Sequence, residues 1–332
     1  MPVPPDLGGG VLKWLSRLGQ ARAPAPGDPG LAQAIERAVY LVEPRLKQAG
    51  GYPRRYRASI ARAWSHARGL AGQIPGPITL DREAFIRDPF VHALFGSAED
   101  IQRVLCLSPA MQAYLGDPAN DGDDIYALMS MRRNERTVLG METEGALLRR
   151  DVAQQQVSFS DHALICPAPS EVAARALIAW SLLDSLVGRV ARLLDELRQE
   201  KKALEQERDE LLARLRGAAP DRRAALQARL DELLGRLRRS IQRQDLRAMA
   251  RLFDDELDAP EEVVRLGTSE LRLDAMGVLR RADETLASHV LGFTDLYGFE
   301  RRRLTALLVR CRRPELPSMS ERLDSAGRWL TV

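Results

Sequence analysis

Lysine, asparagine, paired cysteines and long apolar runs are all scarce in this chain, and each scarcity removes a class of explanation. Of 49 basic residues among 332, only Lys13, Lys47, Lys201 and Lys202 are lysines, so arginine carries the positive charge. Its planar fork suits phosphate and carboxylate, but GC-rich coding gives the same bias and also fits the two lone asparagines, Asn120 and Asn134. The formal net charge is only +3, which gives no whole-molecule case for nucleic acid. Three cysteines, Cys106, Cys166 and Cys311, lie far apart without a CxxC pair. That spacing excludes a disulfide framework or zinc knuckle and predicts reduced thiols in a cytoplasmic protein. No apolar run approaches the length of a membrane span, so no transmembrane segment is expected. Near the start, Val11, Leu12, Trp14, Leu15 and Leu18 form one amphipathic turn, but Lys13 and Arg17 interrupt it, and a secretory signal needs an unbroken apolar run.

Catalytic signatures are missing too. His66, His92, His162 and His289 are scattered, with no HExxH and no paired His/Cys motif. There is no GxxxxGK[ST], no GxGxxG after a strand and no GxSxG elbow. The sequence therefore assigns no catalytic residue, no cofactor and no metal ligand. The loop from Asp117 to Asp124 is rich in carboxylates around Gly122, but Ala119 and Leu128 stand where a calcium loop needs oxygen donors, which reads as an acidic linker.

What the chain does have is a pattern of periods. Residues 1–30 read as a flexible tail. From 31 to 116 apolar residues recur at helical spacing, with Ile35, Ala38, Val39 and Val42 in the first helix and Ile60, Ala63, Trp64 and Ala67 in the second. Pro44 is a kink, Ile74-Pro75-Gly76-Pro77 a break, and Asp81, Pro89, Ser97 and Ser108-Pro109 start shorter helices. These predict one helical unit at 31–116. At Ile125 the period becomes two, and 124–168 reads as an antiparallel meander with turns at Arg133-Asn134-Glu135 and Glu144-Gly145. A second β segment spans 261–313, divided at Gly267-Thr268-Ser269 and Leu296-Tyr297-Gly298, with strands at 262–266, 271–279, 289–293 and 304–309; residues 314–332 read as a tail.

Between the β segments, at 169–256, lie two leucine-rich charged stretches on either side of Gly217-Ala218-Ala219-Pro220. In the first, 170–216, Leu183, Val190, Leu197, Leu204 and Leu211 fall at seven-residue intervals; in the second, 221–255, Leu226, Leu230, Leu233 and Leu237 step by four and three. A connection this short makes antiparallel neighbours. The fold class expected is therefore α+β: an N-terminal helical unit and an antiparallel sheet or small barrel split by a long antiparallel coiled-coil hairpin.

Arg132 and Arg136 in the run Arg132-Arg133-Asn134-Glu135-Arg136 have the RxxxR spacing of PilZ domains, and this stretch resembles that family, whose small β-barrels bind a cyclic dinucleotide. The family's second element is Asp or Asn followed by x-Ser-x-x-Gly; in the nearest stretch here, Asp151 to Gln156, Ala153 replaces the serine and Gln156 the glycine. Without that glycine the backbone is not expected to approach a phosphate. The resemblance implies a ligand sensor on a degenerate PilZ-like barrel.

Three functional readings follow. The first is a non-catalytic interaction or scaffold protein whose hairpin contacts a protein partner or a second copy of the chain. The second is a nucleic-acid or anionic-surface binder, with Arg132, Arg133, Arg136, Arg301, Arg302 and Arg303 as candidate anion-binding residues and further arginines at Arg236, Arg238, Arg239, Arg310, Arg312 and Arg313. With 5% aromatic residues there are few stacking platforms for single strands. The third is the ligand sensor.

Overall fold

Short side chains that compete for backbone hydrogen bonds decide where the N-terminal helices begin. The computed structural model describes residues 30–144, 147–281, 284, 286–298 and 303–313. Helix α1 (Leu31–Val42) passes at Glu43 into a 3-10 turn, Pro44–Gln48, because proline cannot donate to the helical ladder. Helix α2 is Arg57–Gln73. Asp81, Asp88, Ser97 and Ser108 then cap α3 (Arg82–Arg87), α4 (Pro89–Leu94), α5 (Ala98–Leu107) and α6 (Pro109–Gly116), each side-chain oxygen accepting from a backbone N–H of its helix. Between α2 and α3 lies a short strand, β1 (Ile78–Thr79), in a stretch expected to be wholly helical. The prolines at 75 and 77 stop the helix and leave an extended segment beside the sheet.

The described residues form two compact units, one comprising 68–182 and 263–313, the other 30–67 and 183–262. The helices expected as one unit at 31–116 are thus divided between them.

The first unit is built on a sheet of six strands. β2 (Asp124–Glu144) and β3 (Leu147–Ala168) make one long ribbon of 21 and 22 residues, not the meander of short strands expected. Arg133-Asn134-Glu135, read as a turn, lies inside β2; Gly145 lies outside the described residues. The ladder with β3 continues before, through and after these residues, so local turn preference gave way to it. The second β segment supplies β4 (Arg265–Leu273), β5 (His289–Tyr297) and β6 (Arg303–Arg312). Gly267-Thr268-Ser269 is inside β4, not a divider, and Glu262 and Val263, read as the start of a strand at 262–266, belong to a helical turn, Pro260–Val263, opened by its proline. Leu296 and Tyr297 likewise belong to β5, and only Gly298 follows it. The strand expected at 271–279 stops at Leu273.

The order β3-β2-β6-β5-β4 joins the two β segments through antiparallel pairing of β2 with β6, while β1 runs parallel to β6. Three places on β3 set three residues against two of β2, and Asp151, Asp161 and Cys166 at those places have φ of 60°, 54° and 56°. Such bulges bend and coil a strand. The bent sheet then meets its own other edge: the turn after β4 places Gly277 O on Val157 N and Gln155 O on Leu279 N, both at 2.8 Å. This closure requires glycine, because Gly277 has φ of 72° and a Cβ there would sit 2.5 Å from Val157 O. Gly76, at φ 113°, allows the segment before β1 to pass within a Cβ's reach of Leu308 O on β6. The concave face is filled by Ile125, Ala127, Met129, Met131, Val157, Leu273, Phe293, Leu307 and Val309, with Val91, Leu94, Phe95, Ile101 and Met111 of the short helices packed in the same cluster. Phe293 anchors it, with ring centroids 5.3 Å from Phe90 and 5.2 Å from Phe159.

In the second unit α7 (Glu171–Arg216, shared with the first unit) and α8 (Pro220–Arg243) are the two arms. The second arm is shorter than expected: it stops at Arg243, and Asp245 caps a separate helix α9 (Leu246–Asp258) by accepting from Ala248 N. Leu183, Leu186, Val187, Val190 and Leu194 of α7 are buried, as are Ala34, Ile35, Ala38 and Val39 of α1 and Phe253 and Leu257 of α9. Arg37 grips Asp184 with two bonds of 2.7 and 2.6 Å, Arg189 pairs with Glu256, and Tyr56 lies edge-on to Phe253 at 5.0 Å.

Candidate functional site

The arginines singled out from the sequence separate by strand face. Side chains alternate along a strand, so Arg133 continues the face of Met129 and Met131, whereas Arg132 and Arg136 belong to the other. Across the sheet the register aligns Gly267, Asp295, Thr305 and Met131 in one row and Arg265, Tyr297 and Arg303 in the next. At this end of the concave face, apolar side chains give way to a polar group.

Asp295 is its centre, a carboxylate with 1% of its side chain exposed. Arg303 donates to one oxygen through two nitrogens at 3.0 and 2.7 Å, Thr305 Oγ1 donates to the other at 2.8 Å, and Arg133 lies 3.4 Å away. Arg133, 5% exposed, also donates to Ser269 Oγ at 2.9 Å and pairs with Glu135 at 3.2 Å. Arg265 and Arg303 approach the ring of Tyr297 with centroid distances of 4.5 and 5.9 Å, and that ring covers Gly267, where a Cβ would meet Tyr297 Cε2 at 2.9 Å. A buried carboxylate needs this many donors, because an unpaired charge out of water is strongly unfavourable. Two of the six candidate anion-binding arginines, Arg133 and Arg303, therefore converge on the protein's own Asp295, Arg303 by hydrogen bonds and Arg133 as an ion pair.

The other candidates are dispersed. Arg132 pairs with Asp161 at 3.4 Å, and Arg136 donates twice to Gln156 Oε1, at 3.0 and 2.9 Å. Arg301 and Arg302 lie outside the described residues. Arg310 holds Asp124 through two bonds of 3.0 and 2.9 Å, and Arg313 donates to the carbonyls of Gly122 and Asn120, so the acidic loop is tied down by arginine. Among the described residues no group of three or more His, Cys, Asp or Glu could hold a metal ion. Nor is any helix among them long and apolar enough to cross a membrane.

Asp295, Ser269, Thr305, Tyr297 and Arg265 were not anticipated from the sequence. Their only signal is alternation within β4, β5 and β6, which becomes readable once the register among these strands is known.

The hairpin presents a different surface. Leu204 and Leu211 of α7 with Leu230, Leu233 and Leu237 of α8 form a buried cluster, joined by Leu212, Leu226 and Leu234 and, among the described residues, by none outside the arms. Arg229 reaches Glu207 at 3.0 Å, Arg243 reaches Glu200 at 2.6 Å, and Gln244 donates to Leu197 O at 2.7 Å, so the arms run antiparallel. Each buried leucine contributes about 1.5–3 kcal/mol through area removed from water. Outward positions are charged. On α8 seven arginines accompany three carboxylates, and Arg222, Arg223, Arg236, Arg238 and Arg239 are exposed. Compared with protein-family models, curated proteins and solved structures, this chain matches none.

Proposed function

We propose that the protein is a non-catalytic interaction or scaffold protein and that the helical hairpin, as a coiled coil, is its contact element. The observation that supports this most is the leucine seam between the two arms, whose members among the described residues all lie on α7 and α8. With these leucines turned toward each other, the charged flanks of the arms face outward. On α8 those flanks are predominantly arginine, which suits an acidic protein surface, and charge complementarity of this kind sets specificity and encounter rate.

A photo-crosslinking residue at Gln227 in the full chain tests the reading. It predicts capture of a protein partner, reduced at least tenfold by Arg236→Glu with Arg239→Glu and abolished when residues 205–236 are replaced by a short glycine-rich turn. Capture that survives both changes contradicts it. Nuclease-sensitive capture would replace it with the nucleic-acid reading.

A further inference from the structure

The two arms of the hairpin do not balance each other's charge. Arg243 of α8 reaches Glu200 of α7 at 2.6 Å, so a step of seven residues along each antiparallel arm sets Arg236 against Glu207, and a second step sets Arg229 against Arg214. Like charges then face each other near the turn. Arg229 instead reaches back to Glu207 at 3.0 Å, and Arg214 turns to Glu210 of its own helix at 4.0 Å. Arg236 thereby loses the carboxylate that the register assigns to it.

What is left forms a stripe. Arg222, Arg229, Arg236 and Arg243 recur every seven residues, and Glu232 and Arg239 stand three or four residues from their neighbours, so these side chains follow one side of α8 over about 30 Å. Arg229 and Arg243 are matched from α7. Arg222, Arg236 and Arg239 are exposed, and among the described residues no carboxylate lies within ion-pair reach of them. Arg238 is exposed as well but lies about 100° around the helix from Arg239, off the stripe.

We propose that this stripe, centred on Arg236 and Arg239, takes an acidic helix of a partner protein that presents carboxylates three or four residues apart; the inference rests on the reading of the hairpin as the contact element. Spacing selects a helix. Arg236, Arg239 and Arg243 repeat with the pitch of α8, and a helix laid alongside repeats its carboxylates with the same pitch. A continuous polyanion fits less well, because Glu200 and Glu207, which pair with Arg243 and Arg229, and Glu232 occupy the same flank and repel a phosphate backbone. No aromatic side chain on α8 offers bases a stacking platform. Nor does the stripe carry a large apolar residue to enter a lipid surface.

Fluorescence anisotropy of a labelled alanine-based helical peptide with glutamates at this spacing, titrated with the full chain, tests it, with circular dichroism as the check that each variant folds. Binding is expected at about 50 mM salt and should weaken about tenfold by 300 mM. Arg236→Glu with Arg239→Glu should weaken it about tenfold, whereas Arg238→Glu should change it less than about twofold. Glu207→Ala, which releases Arg229, should strengthen it. No binding, an equal loss at Arg238, or equal binding of a peptide with the same glutamates at two-residue spacing overturns the proposal. Duplex DNA that binds more tightly than the peptide and is lost with the same two arginines overturns it in favour of a polyanion. Protein capture at Gln227 that requires residues 205–236 but ignores the charge reversals leaves the contact role standing and overturns the acidic helix alone.

Discussion

In the sheet, Arg133 is 5% exposed and shares with Arg303 a carboxylate that water scarcely reaches; in the hairpin, Arg243 and Glu200 pair with 52% and 43% of their side chains exposed. The same residue types thus serve two purposes. Out of water the partners become obligatory, because removing one strands the other, whereas exposed pairs are weak and exchangeable. The hairpin buries leucine between its arms and carries arginines such as Arg222, Arg236 and Arg239 on exposed positions. In the sheet, arginine is part of the structure.

The largest expected effect lies at Asp295. Asp295→Ala leaves Arg133 without its buried counter-charge and should destabilise the first unit by about 3–5 kcal/mol in urea unfolding. The matching change in the hairpin, Glu200→Ala, should cost about 0–1 kcal/mol. Equal losses at the two sites would erase the distinction between them.

Next comes Gly277→Ala, which sets a Cβ 2.5 Å from Val157 O and forces a left-handed φ on alanine. A loss of about 2–3 kcal/mol is expected, with faster amide exchange at Val157 and Leu279. Leu233→Ala should cost about 2–3 kcal/mol as well, but confined to the arms, so exchange at residues 204–237 should rise while the sheet amides keep their protection.

Acid sharpens the comparison in the other direction. His162, stacked on Phe95 at 4.7 Å and bonded to Leu94 O, has its pKa pushed below the usual histidine value, chiefly by burial. A group whose folded pKa is lowered contributes stability above its unfolded value, near 6.5, and that contribution fades as pH falls through the folded value. The melting temperature of the first unit should therefore fall between pH 7.5 and pH 5, and His162→Phe should remove part of that fall. The smallest effect is a gain: Cys166→Gly, at φ 56°, should relieve strain of about 1 kcal/mol, partly offset by glycine's entropy when unfolded.

What could be read in advance follows the range of the interactions. Helix starts at Asp81, Ser97 and Ser108 depend on residues two or three positions away, and the arms depend on a period of three to four; both were legible. The long strands were not, because Arg133-Asn134-Glu135 has turn chemistry locally and only pairing with β3 overrides it. The bulges at Asp151, Asp161 and Cys166 leave no period at all, so neither the coiling of the ribbon nor its closure on Gly277 could be anticipated. The arginine cluster failed for a related reason. RxxxR spacing drew attention to Arg132 and Arg136, whereas the strand face selects Arg133, and its partner Asp295 lies on a strand 162 residues away.

Antiparallel pairing of the two arms within one chain underlies the rest, and a short bifunctional crosslinker tests it most directly. Equal amounts of nitrogen-15-labelled and unlabelled protein carrying cysteines at Glu200 and Arg243, which form an ion pair, would be mixed, crosslinked at high dilution and digested. Crosslinked peptides with both halves of the same isotope, linking 200 to 243, are predicted. Mixed-isotope peptides as the main product, or no 200-to-243 link, would contradict the account.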